Sequence, residues 1–127
     1  MRISLVAATV AVLLTLAGCD TPYPYKATQS DVPGTWAADH CGSRLVFAQD
    51  GSLTATQFKP NEDSPVDGAG TWTFTDTMSG LSSYGVEVTV GQTSAELYFI
   101  QRKGEPVVLL DIIGDADDGR ACNFTRA

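Results

Sequence analysis

Beyond Pro33, apolar and polar residues alternate with a period of two along most of the chain. In the run 52–58, Leu53 and Ala55 fall on one side, and Thr54 and Thr56 on the other. Val86, Val88 and Val90 alternate with Glu87 and Thr89, and Trp72 and Phe74 stand two apart. A period of two places successive side chains on opposite faces of a pleated strand, so each run predicts a half-buried strand. Further runs rich in β-formers cover 34–38, 43–48, 69–75, 94–102, 106–113 and 120–125. Between them stand turn signals. Asp50-Gly51 is the best hairpin turn, because glycine tolerates positive φ there, and Lys103-Gly104-Glu105 is a second tight one. Residues 59–68, 76–83 and 114–119 read as turn or loop segments. No segment past Pro33 has a convincing helical period. The pattern predicts an all-β domain of about eight short strands in an antiparallel up-and-down meander, since short turns join neighbours. A sheet of that size hides its edges by closing or half-closing into a small barrel. A two-sheet sandwich is the alternative.

The first residues follow another rule. Arg2 is a short positive start, and 3–16 is apolar apart from Ser4, Thr9 and Thr15. That run is too short to cross a hydrocarbon core of about 30 Å comfortably as a helix. It ends in Leu16-Ala17-Gly18-Cys19, which resembles the bacterial lipobox. The resemblance implies a signal peptide over 1–18, diacylglycerol on the Cys19 sulfur and cleavage before Cys19. The mature chain is then expected at the cell membrane, lipid-anchored and facing the extracytoplasmic side. Residues 19–33 read as the lipidated N-terminus and a flexible tether. Pro22 and Pro24 alternate there with Tyr23 and Tyr25, and a partly extended spacer would hold the domain, 34–127, a few nanometres off the membrane.

Charge narrows the partners. The 127 residues carry 15 acids and 8 bases, a net −7; removal of 1–18 takes Arg2 and leaves −8. The bases are scattered, so nucleic acid is excluded as a partner, because phosphate binding needs clustered Lys and Arg.

Candidate chemistry is sparse. With Cys19 assigned to lipid, Cys41 and Cys122 form an even pair outside the cytoplasm, where a disulfide is expected. Two free thiols or a metal pair are the alternatives. In a meander barrel the first and last strands are neighbours, so this bond would pin the closure seam. His40 adjoins Cys41, but no Cys-x-x-Cys or His-x-x-x-His spacing completes a zinc site. Asp115, Asp117 and Asp118 faintly resemble a calcium loop, yet the third acid and the glycine each fall one place early, and the twelfth position is Arg126. The structural reading is an acidic hairpin turn. There is no Gly-x-Ser-x-Gly elbow, no phosphate loop and no evident Ser partner for the single histidine. No catalytic, cofactor or metal residues are therefore assigned, and an enzyme is not expected. Trp36 and Trp72, each in Gly-Thr-Trp, read as core.

The two Gly-Thr-Trp tripeptides, the Asp50-Gly51 hairpin and the Gly114–Arg120 stretch together resemble small actinobacterial lipoproteins of unassigned activity. The Gly-x-Trp opening strand is also similar to that of calycins, the lipocalins and small bacterial protease inhibitors built as eight-stranded barrels. The resemblance implies a lipocalin-like barrel and supplies no functional residues. Three functions follow as expectations: a binding module for an envelope protein or polymer, a carrier of a small apolar ligand, or a hydrolase inhibitor.

Overall fold

The computed structural model describes residues 21–59, 64–113 and 120–127. Nine strands lie among them: β1 (Tyr23–Pro24), β2 (Gly34–Ala38), β3 (Ser43–Phe47), β4 (Ser52–Phe58), β5 (Val66–Thr75), β6 (Gly85–Val90), β7 (Thr93–Gln101), β8 (Val108–Ile112) and β9 (Ala121–Arg126). From β2 to β9 each strand pairs antiparallel with the next, and β9 returns to β2. The meander is a closed eight-stranded barrel, and the sandwich alternative falls away. Alternation drives the closure: Leu45, Phe47, Leu53, Ala55, Val86, Val88 and Val90 all turn inward and are buried.

Local chemistry sets the turns and registers. Gly51 adopts φ 94°, and the Asp50 carboxylate accepts from Ser52 N at 2.9 Å and Ser52 Oγ at 2.6 Å. At Gly70, β5 passes so close to Thr89 of β6 that a Cβ would collide with its carbonyl. β5 starts at Val66, three residues before the expected strand, because a bulge between Ala55 and Phe58 lets β4 reach further. Gln57 occupies that bulge with φ 51°, and its N–H donates to Asp67 Oδ1 at 2.8 Å.

The barrel has two rims. One carries the start of β2, the β3–β4 hairpin, the β7–β8 turn and the end of β9. The other carries the end of β2, the start of β3, the β6–β7 turn and the ends of β4 and β8. The first is the near rim below, and the second the far rim.

The expected flexible tether is not what is found. β1 pairs with β7 in the register Tyr23↔Gln101 and Pro24↔Ile100, and Tyr25 N–H donates to Phe99 O at 3.0 Å. Ala27 and Val32 are buried, and a 3-10 turn at Gln29–Asp31 follows. Among the described residues the folded unit therefore reaches back to Tyr23, ahead of Gly34. The prolines suggested an unpaired spacer, but an edge strand has no partner for the N–H that Pro24 lacks. Burial of Tyr25, Ala27 and Val32 then holds the segment across the near rim.

Candidate functional site

Trp36 lies near the start of β2 and is 1% exposed. Its Nε1–H donates to Val32 O at 3.0 Å, so the rim-covering segment and the ring fix one another. Below it sits Phe99, ring centroids 6.0 Å apart at 73°. Above it sits Arg126, its register partner on β9, with the guanidinium carbon 4.5 Å from the ring centroid. Arg126 Nη1 donates to Pro33 O at 2.9 Å and Nη2 donates to Asp31 O. The Asp31 carboxylate in turn accepts from Thr28 N at 2.8 Å, which holds the 3-10 turn. A planar cation over an indole, its N–H groups on carbonyls, is an arrangement lysine cannot reproduce.

Beside this stack opens a cleft of about 330 Å³. Tyr25, Phe99, Pro106 and Val107 supply apolar wall, and Asp31 and Arg126 supply polar edges. The interior itself is filled by the protein's own rings. Phe58 meets Phe124 at 6.3 Å, Phe74 meets Phe99 at 6.5 Å, and Phe47 meets Trp72 at 5.9 Å.

Asp111 is the exception in that interior. It is 1% exposed, lies on β8 between Leu97 of β7 and Cys122 of β9, and its Oδ2 has no hydrogen-bond partner. Burial pushes its carboxyl up from the ordinary value to about 8. Low dielectric disfavours the charged form, and among the described residues no cation offsets it. Sequence reasoning missed this residue, although Leu109, Asp111 and Ile113 share one parity in the apolar run. It also missed Arg126, whose place over Trp36 depends on the register of closure.

Other expected residues fall as follows. Cys41 and Cys122 are disulfide-bonded, with Cα atoms 6.0 Å apart, joining the turn after β2 to β9. His40 Nε2 lies 3.4 Å from Asn123 N and 3.3 Å from Ala121 O, so its tautomer decides whether it accepts from one or donates to the other. Trp72 is core, its Nε1–H on Ala48 O at 2.8 Å. Cys19, and Asp115, Asp117 and Asp118, lie outside the described residues. Among the described residues no three His, Cys, Asp or Glu side chains converge as metal ligands.

Compared with protein-family models, curated proteins and solved structures, the chain matches none.

Proposed function

We propose that this protein is a membrane-anchored, extracytoplasmic lipoprotein that serves as a binding module of the cell envelope, with the near-rim cleft as its binding surface. One observation carries the reading: rings fill the barrel interior, while apolar wall stands open in the cleft. This favours recognition at the surface over carriage of a small apolar ligand inside. The occupant is an apolar group with an acceptor beside it, since Pro106 and Val107 offer a dry wall and Arg126 retains N–H groups beyond the two bonded to carbonyls. The anchor is Cys19, on the strength of Leu16-Ala17-Gly18-Cys19. The module needs no catalytic group, and none is assigned to it.

Two measurements test the reading in cells. Clickable fatty acid should label the wild type and not Cys19→Ala. A photocrosslinking amino acid at position 107 should yield a discrete adduct in intact envelopes, and one at the far-rim position 92 should not. An unlabelled wild type removes the anchor. Indiscriminate adducts at both positions remove the cleft.

A further inference from the structure

We infer that the near rim is the membrane-facing end of the domain, so that the cleft opens beside the headgroups of an anionic bilayer. The inference relies on the anchoring of Cys19 proposed above and adds an orientation to it. Its basis is the docked N-terminus. Tyr23 is already hydrogen-bonded into the sheet through β1, so Asp20, Thr21 and Pro22 alone separate it from Cys19. Even fully extended, the four steps from Cys19 to Tyr23 span at most about 14 Å. β1 meets β7 at its Gln101 end, beside the β7–β8 turn, so the short link emerges at the near rim. The far rim stands a full strand length from that point, so an upright barrel holds it away from the headgroups.

The surface suits this placement. Tyr23, Val46 and Leu81, the large apolar side chains that stand exposed among the described residues, are 45%, 41% and 51% accessible. All lie toward this half. Tyr23 is in β1, Val46 adjoins the near-rim residue Phe47, and Leu81 is in the connection from β5 to β6. An exposed tyrosine with an apolar body and a polar tip fits a membrane–water boundary. Lys26 and Lys103 are exposed near the link, and Arg102 is half-buried beside them.

The test uses the full-length, lipid-modified protein in vesicles of phosphatidylcholine and phosphatidylglycerol that contain a nitroxide-headgroup lipid. A fluorescent amino acid is placed at position 103 on the near rim or at position 92 on the far rim. Expected is loss of emission at 103 with emission at 92 retained, and weaker quenching at 103 in Lys26→Glu/Arg102→Glu protein that still floats with the vesicles. Protein that floats with the vesicles but is quenched equally at both positions, or at neither, overturns the orientation and leaves the anchor standing. Protein that carries no acyl mass and stays in the aqueous fraction overturns the anchor, and the orientation with it.

Discussion

Asp111 places a titratable carboxyl inside the barrel. Its carboxyl lies in a barrel lined by Leu97, Leu109 and Ile113, with one oxygen unpartnered. The folded state holds the proton up to about pH 8, while the unfolded chain releases it near the ordinary carboxylate value. Between those limits the folded state binds the extra proton, so stability falls as pH rises. This group's slope is at most about 1.4 kcal/mol per pH unit, and it vanishes above the folded value, where both states are ionised. The expected outcome is a urea-unfolding midpoint that declines from pH 5 to pH 8 in the wild type. Asp111→Asn flattens the decline, and the variant gains most over wild type at the alkaline end. Asp50 works the other way. Its carboxylate, hydrogen-bonded by the Ser52 side chain and backbone, is held below its usual value.

At the scale of elements, closure is the weak point. β2 and β9 share the two register pairs Trp36↔Arg126 and Ala37↔Thr125, followed by Ala127 N on Thr35 O at 3.0 Å. Below them the Cys41–Cys122 bond continues the seam toward the far rim. Replacement of both cysteines by serine is expected to lower stability by about 2–4 kcal/mol, because the bond closes a loop of some eighty residues in the unfolded chain. Chemical denaturation of oxidised protein against the double variant measures it. Much of this architecture was legible in the alternation. β2 and β4 match the expected runs, and β3 and β6 to β9 differ from them by a few residues at their ends. Four features were not. β1 spans two residues and shows no period. The early start of β5 hangs on the Gln57 bulge, where Asp67 caps a backbone N–H across strands. The Trp36–Arg126 stack needs the closing register. The disulfide pairing was expected; the cleft was not, since its walls come from three separated segments that meet only after closure.

For the whole molecule, what matters is where the folded unit begins. A spacer of Gly and Ser inserted between Asp20 and Pro22 touches no described contact of the barrel. It is expected to leave the melting temperature unchanged and to abolish the difference in quenching between positions 103 and 92. Circular dichroism melts and the vesicle assay read the two effects separately. A lowered melting temperature would show that the link itself supports the fold.

Docking of β1 also decides whom the protein can meet. With Cys19 lipidated as proposed, so short a link would have the cleft sweep a shallow disc just above the headgroups, and lateral diffusion along the sheet of lipid would carry it from place to place. Membrane residents would then pass within its radius at high effective concentration, whereas a partner fixed deep in a wall polymer would have to extend to it. On that proposal, a few residues laid along a barrel edge turn a search through the envelope's volume into a search across a surface.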